Sequence, residues 1–465
     1  ARAVYLMSLF TPVLLGAPGA VWFGIAREAW LRLLRFTIER AGPAFIKWGQ
    51  WAATRPDMFP RDVCQELSRL HSEAPEHSWQ HTHRQLEKAF GRGAAGLFDS
   101  FEQRPIASGS IAQVHRAVLG ARAARACGCA PGTTVAVKVK HPGVDQAISR
   151  DFTLMLAMVD MLNALLGDLK TVEESVRQFR GPLFEQTDLE HEARHLRQFG
   201  ANFRGSPEVS FPQALYPWVT PDVLVESFEP GKSVQEYVDK TQPFREELAE
   251  MGLHALLKML LWDNLIHADL HPGNIIVQLR EPGPLQRLQD ALQGVTVSKP
   301  RAHVVLLDVG MAAELNQNDQ RGLCQLFKGV VDLDGARVAQ ATLELGDGGE
   351  SLETSAAFRR EVVELFHGFR RFQQEYDRLP APAECMNELL EIVRQHQVYI
   401  KPEMCIVIAT TFVLEGWAMR LNPELDIVKI MADNVNPFFP ARDEDEKDAA
   451  QAAEEMAALD GAVAA

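Results

Sequence analysis

Strand-period segments are confined to the middle of this chain, and that placement limits what it can fold into. Arg27 to Arg40 carries Trp30, Leu33, Leu34 and Ile38 at helical spacing. Gly42-Pro43 and Pro56 bracket a second helical piece, and residues 81–90 read as a third. The pattern then changes to strands over Phe98–Arg104, Ala112–Val118 and Thr134–Lys140. Two long helical stretches, about 144–166 and 171–199, precede strands at Val209–Phe211 and Val223–Phe228. From residue 243 the chain is helical except near 275 and 304. A small β-rich half followed by a helical half predicts an α+β, bilobal fold. The expected segments are an apolar run at 1–26, a helical extension at 27–95, a β-rich lobe at 96–229, a helical lobe at 230–440 and a tail at 441–465. Polar, Pro- and Gly-bearing residues 279–300 read as a loop insertion.

Composition excludes several classes. With 46% hydrophobic and 23% charged residues the chain is neither disordered nor collagenous. A net charge of −15 argues against a nucleic-acid partner, because phosphate binding wants a basic face. Six cysteines in 465 residues make no disulfide framework and read as free thiols.

No charged side chain stands between Ala3 and Ala26, a run long enough to cross a bilayer as a helix. Its prolines and glycines are tolerated inside membranes. Five arginines against two glutamates in residues 1–40 suit an anionic membrane surface. The alanine-rich stretch Arg442–Asp460, with eight acids and two bases, reads as a solvated tail.

The chemistry-bearing motifs follow. In His267-Ala268-Asp269-Leu270-His271-Pro272-Gly273-Asn274, Asp269 precedes Asn274 by the spacing of a kinase catalytic loop. Such a loop needs a carboxylate to orient an acceptor hydroxyl and an amide oxygen to hold Mg²⁺. The apolar run Val304–Leu307 delivers Asp308 to a strand end, where Gly310 is expected to let the backbone turn sharply. Thr134–Lys140 matches a strand that carries a nucleotide-contacting lysine; alternation puts Lys138 and Lys140 on one face, and the motif selects Lys138. A carboxylate must hold that lysine, and residues 171–199 offer Glu185, Asp188, Glu190 and Glu192. Where a Gly-rich phosphate loop is expected stands Ala107-Ser108-Gly109-Ser110, small enough for close approach and with two hydroxyl donors. Gly91-Arg92-Gly93-Ala94-Ala95-Gly96 precedes the first strand and reads as a linker.

His191-Glu192-Ala193-Arg194-His195 has the zinc-peptidase spacing, but no third ligand is suggested, so a peptidase is a remote alternative. His71, His77, His81 and His83 read as a polar loop and helix cap.

Lys47-Trp48-Gly49-Gln50, Ala107–His115, Val135–Lys138, Glu192-Ala193, His267–Asn274 and Asp308-Val309-Gly310 stand in the order seen in the UbiB/ABC1 (aarF-domain) atypical kinases. The chain resembles that family from about Ala41 to Asn436, and most closely its mitochondrial branch. The resemblance implies a protein-kinase-like fold whose K-x-G-Q segment, with Lys47 and Gln50, lies over the active site. It implies a Lys138–Glu192 ion pair, Asp269 as the catalytic-loop carboxylate, Asn274 and Asp308 as Mg²⁺ ligands, and Ala107 to Ser110 as the loop over ATP or ADP. It further implies ATPase activity in support of coenzyme Q (ubiquinone) biosynthesis or mitochondrial lipid metabolism at the mitochondrial inner membrane. A membrane lipid or quinone intermediate, and protein partners of a quinone-synthesis complex, are the expected contacts. Two departures stand out: Gln186 where an acid is frequent, and Gly109 where some relatives have Ala. A nucleotide-gated, non-catalytic scaffold is the other class the sequence allows, although both Asp269 and Asn274 are present.

Overall fold

A computed structural model of the chain describes residues 1–70, 75–166, 170–239, 243–281, 292, 300–346, 352–376, 382–398 and 400–439. Most of the 279–300 insertion, His71 and the acidic tail lie outside the described residues. The chain forms two compact units, Ala1–Met251 with His267–Ala312, and Gly252–Ile266 with Ala313–Ala465.

The first unit opens with helices α1 (Arg2–Trp22), α2 (Arg27–Ala41), α3 (Pro43–Ala53), α4 (Arg61–Leu67) and α5 (Trp79–Phe90). Pro43 starts α3, as its fixed φ favours the first helical position. Gly42 before it has φ 109°, a conformation that glycine adopts without strain. Leu6, Ile38, Phe45, Trp51 and Leu67 from these helices share one apolar core with Ile148, Phe152 and Phe179. The last three come from α7 (Val144–Leu166) and α8 (Lys170–Glu185); α6 (Ala121–Ala126) is a short turn between strands. α1 buries Leu6, Val13 and Ala20, a stripe of spacing seven, while Val4, Leu15 and Trp22 stay exposed. Trp30 Nε1 donates to Val13 O at 2.9 Å, and Arg2 pairs with Asp151 at 2.5 Å, so α1 is tied down at its start and at its middle.

The stretch 171–199 is two helices rather than one: α8 ends at Glu185, and α9 (Leu189–Asn202) starts afresh. Asp188 caps α9, its carboxylate accepting from Glu190 N at 2.9 Å, and that cap is incompatible with a continuous helix.

The larger sheet has the order β1 (Phe98–Phe101), β3 (Ala112–Leu119), β4 (Thr134–Lys140), β7 (Val223–Ser227), β6 (Ala214–Thr220), with β2 (Ala107–Ser108) on β3. β4 is central and antiparallel to both neighbours, with Lys138 opposite Val114 and Leu224. Val135, Val137 and Val139 bury their alternate face in the sheet's own core. A smaller sheet joins β5 (Val209–Ser210), β11 (Arg301–Leu306), β10 (Ile275–Arg280) and β8 (Lys232–Ser233); β9 spans Leu265–His267 and β12 Ala312–Glu314.

The second unit is helical. Its helix Pro402–Leu421 is one of two among the described residues long and apolar enough to cross a membrane, but 61% of its apolar window is buried against 17% for α1. Gly252 packs so tightly on Trp417 that a Cβ there would stand 2.3 Å from the indole. All six cysteines are thiols rather than disulfide partners.

Candidate active site

Lys138 lies on the face of β4 opposite the valines and is buried. Its Nζ donates to Glu192 Oε1 and lies 3.5 Å from Glu226 Oε1. Lys140 on the same face is engaged elsewhere, with Asp145 at 3.0 Å, Asp222 at 3.1 Å and Thr187 O at 2.9 Å. Of the four acids offered by residues 171–199, only Glu192 reaches Lys138, because the Asp188 cap spends Asp188 and sets the phase of α9. The Lys138–Glu192 pair therefore forms as the family resemblance implies.

Glu226 was not anticipated. It stands on β7, directly opposite Ala136, and its second oxygen is buried without a hydrogen-bond partner. The available signal was an acid ending the apolar run Val223-Leu224-Val225, since ionised side chains are rarely buried unless paired. Burial would strip Lys138 of its proton, but Glu192, Glu226 and Asp308 together hold its pKa well above the ordinary value. Burial pushes Glu192 up to about 8 against the pull of Lys138, with Asp308 and Glu226 repelling its charge. Burial raises Glu226 in the same way.

Asp308 keeps contact with solvent, although protein crowds around it. That crowding opposes its charge, yet Lys138, Lys47 and His267 hold its carboxyl below the usual range. The turn here differs from expectation. Asp308 itself takes φ 52°, and Gly310 is absent from the positive-φ residues. Gly310 instead supplies room: a Cβ there would stand 3.3 Å from Asp308 Oδ1 and 4.0 Å from Glu192 Oε2. Aspartate is among the few residues that tolerate left-handed backbone, and such outliers cluster at functional sites.

The Asp269–Asn274 loop is organised by His267, which is fully buried. His267 Nε2 donates to Leu307 O at 2.8 Å, and its Nδ1 accepts from Asp269 N at 3.1 Å. Burial holds the ring neutral by lowering its pKa, which matches this donor–acceptor pattern. Asn274 Nδ2 donates to Asp269 O at 3.0 Å, and Leu307 N donates to Asn274 O at 2.7 Å. The loop is thus tied to the residue preceding Asp308. His195 Nδ1 meets Val309 O at 3.0 Å, which ties α9 to the same segment.

Ala107–Ser110 form the tip of the β2–β3 hairpin, with Ala107 opposite Val114 and Ser108 opposite Gln113. Ser108 Oγ is buried with no partner, a hydroxyl left for a ligand. A Cβ on Gly109 would meet Ala112 O at 3.6 Å, so alanine fits there too.

Lys47 and Gln50 lie on α3. Lys47 is half-buried and forms no ion pair within 4.0 Å among the described residues, yet its charge reaches Asp308. Gln50 Nε2 donates to Leu70 O at 3.1 Å. Gly49 between them is dictated by packing, as a Cβ would fall 2.4 Å from Leu70 Cδ1. Gln186 is buried with its Nε2 unpartnered.

The zinc-peptidase alternative loses its base, because Glu192 is committed to Lys138. His191 and His195 face each other at 3.1 Å, and no metal-holding group of three or more His, Cys, Asp or Glu occurs among the described residues. His77 lies in the loop before α5 and His81 in the first turn of that helix. They stack edge-on, and His77 stacks likewise on His141.

Mg²⁺ with a nucleotide fits the residues present. Asn274 and Asp308 offer an amide oxygen and an ionised carboxylate, while Lys138 and the orphaned Ser108 hydroxyl offer donors.

The signature of the ABC1 atypical kinase-like domain matches residues 69–342. The chain is 31% identical over 479 residues to the probable serine/threonine-protein kinase abkC of Dictyostelium discoideum, covering 92% of this chain and 67% of that protein. It is 28% identical over 492 residues to a mitochondrial ABC1 family protein of Schizosaccharomyces pombe, covering 94% and 70%. It is 28% identical over 400 residues to the probable protein kinase UbiB of Cellvibrio japonicus, covering 85% and 66%.

Proposed function

The chain belongs to the ABC1 atypical kinase-like family, and from that membership we propose that it is a membrane-associated, Mg²⁺-dependent atypical kinase or ATPase acting on ATP. The observation that carries this reading is the Lys138–Glu192 pair standing in the electrostatic field of Asp308, beside the Asp269–Asn274 loop.

Mg²⁺, when bound, would supply charge neutralisation on the transferred phosphoryl group. Asn274 and Asp308 would hold the ion, and Lys138 would bind the α- and β-phosphates while Glu192 keeps the ammonium oriented. Ser108 and Ser110 donate to the phosphates from the β2–β3 tip. Asp269 orients the acceptor hydroxyl or water and takes its proton. Most of the rate gain is positioning and charge neutralisation. Lys47 from α3 adds positive charge at Asp308, which supports a role for the K-x-G-Q helix in restricting access.

Membrane association is supported by the apolar, mostly exposed α1. A mitochondrial location is supported by two fungal relatives whose names carry that word. A role in coenzyme Q or other mitochondrial lipid metabolism, with a lipid or quinone intermediate as ligand, rests on the family resemblance.

The test is thermal unfolding with Mg²⁺ and ATP or ADP, beside Asp308→Asn. Ligand at 100 times Kd stabilises by about 2.7 kcal/mol. A Mg²⁺-dependent rise in Tm that Asp308→Asn abolishes is expected, with Asp269→Asn retaining the rise and losing turnover. A rise that survives in Asp308→Asn would sink the site assignment.

A further inference from the structure

We infer that His141 is a positioning residue for the phosphate-covering tip of the β2–β3 hairpin, held in its working tautomer by His77 and Thr82. This rests on the nucleotide reading of the site. His141 directly follows β4, three residues after Lys138, and grips the tip twice. Its backbone N donates to Ile111 O at 2.8 Å, and its Nε2 meets Gly109 O at 2.9 Å.

A carbonyl only accepts, so His141 Nε2 carries the proton. In the neutral ring Nδ1 is then an acceptor, and the atom facing it is His77 Nδ1, at 2.7 Å. His77 must donate there, which leaves its Nε2 to accept from the Thr82 hydroxyl at 2.9 Å. The bonds run one way, from Thr82 through His77 and His141 to the Gly109 carbonyl. Burial lowers the pKa of both rings, His77 to about 3, in keeping with a neutral chain. Gln113 of β3 fixes His77 from the other side, its Oε1 accepting from His77 N at 2.8 Å and its Nε2 donating to His77 O at 3.3 Å. Thr82 lies on α5, so the relay joins the helical extension to the loop over the phosphates.

The experiment measures binding of MgATP and of adenosine to the full chain carrying His141→Ala, His141→Gln or Thr82→Val. His141→Ala is expected to weaken MgATP by about five- to tenfold, the worth of one hydrogen bond, and to leave adenosine unchanged. Gln, whose amide still donates, restores MgATP affinity to within about twofold of the parent. Thr82→Val, close in volume, shifts MgATP in the same direction and serves as the probe if His141→Ala fails to fold. Unchanged MgATP affinity, an equal loss for adenosine, or no rescue by Gln would overturn the inference while leaving the nucleotide site intact. If neither ligand binds the parent chain, the nucleotide reading itself fails and this inference falls with it.

Discussion

Glu226 stands 3.5 Å from Lys138 on the strand next to it, a second carboxylate for an ammonium that Glu192 already holds. Asp308, ionised, adds a third carboxyl group around that one ammonium, although burial opposes the charge of both glutamates, and a divalent cation would relieve the crowding of acids. Glu226→Gln removes one group able to carry negative charge without changing the shape. Nucleotide binding then becomes less dependent on Mg²⁺: the ratio of ATP affinities with and without the metal is expected to shrink about tenfold, or about 1.4 kcal/mol. Titration calorimetry in both conditions reads this directly, and an unchanged ratio would mean that Glu226 exerts no field on the ligand.

Because Lys138 has two buried partners, losing one is survivable. Breaking a buried ion pair outright costs about 3–5 kcal/mol. Glu192→Gln alone is expected to cost less than that range, and Glu192→Gln with Glu226→Gln more than the sum of the two singles. Urea unfolding of the three variants gives the coupling; strict additivity would contradict a shared lysine.

Acid should destabilise this chain through its buried histidines, above the range in which ordinary carboxylates protonate. His77, His115, His141, His267 and His303 all have pKa values lowered by burial. The unfolded chain takes up protons near pH 6.5 that the folded chain refuses. The histidine contribution to stability is therefore complete above about pH 6.5 and falls as pH drops through that value, continuing toward the His77 value of about 3; the raised Glu192 and Glu226 act in the opposite sense with a smaller number of groups. Tm should decline between pH 7 and 5, and His77→Gln should flatten the decline. A Tm independent of pH over that range would contradict the burial of these rings.

Gly49→Ala in the K-x-G-Q helix forces a methyl to within 2.4 Å of Leu70 Cδ1 and 3.3 Å of Ile38 Cγ2. Overpacking of this kind costs about 1–3 kcal/mol. The variant should unfold at lower denaturant than the parent, whereas Gly96→Ala, with open space around it, should not.

Much of this was legible beforehand. The strand Thr134–Lys140 and helix 144–166 coincide with their hydrophobic periods, because each element presents one continuous apolar face. The α8–α9 break escaped notice, since a cap made by one aspartate leaves the surrounding periodicity intact. Lys138 and the Asp269–Asn274 loop came from motif spacing, which encodes local geometry, and Glu192 from the family resemblance. Glu226 and His141 did not, because their partners lie far away in sequence and only the register of β4 against β7 and the hairpin brings them together.

The left-handed backbone at Asp308 narrows what that position can become. Asparagine and glycine share aspartate's tolerance of this conformation, whereas alanine or a β-branched residue adds strain to whatever charge is lost. Asp308→Asn therefore separates charge from conformation, and Asp308→Ala confounds them. Over evolutionary time the same constraint holds: a descendant that abandons the carboxylate can do so without strain only through asparagine or glycine.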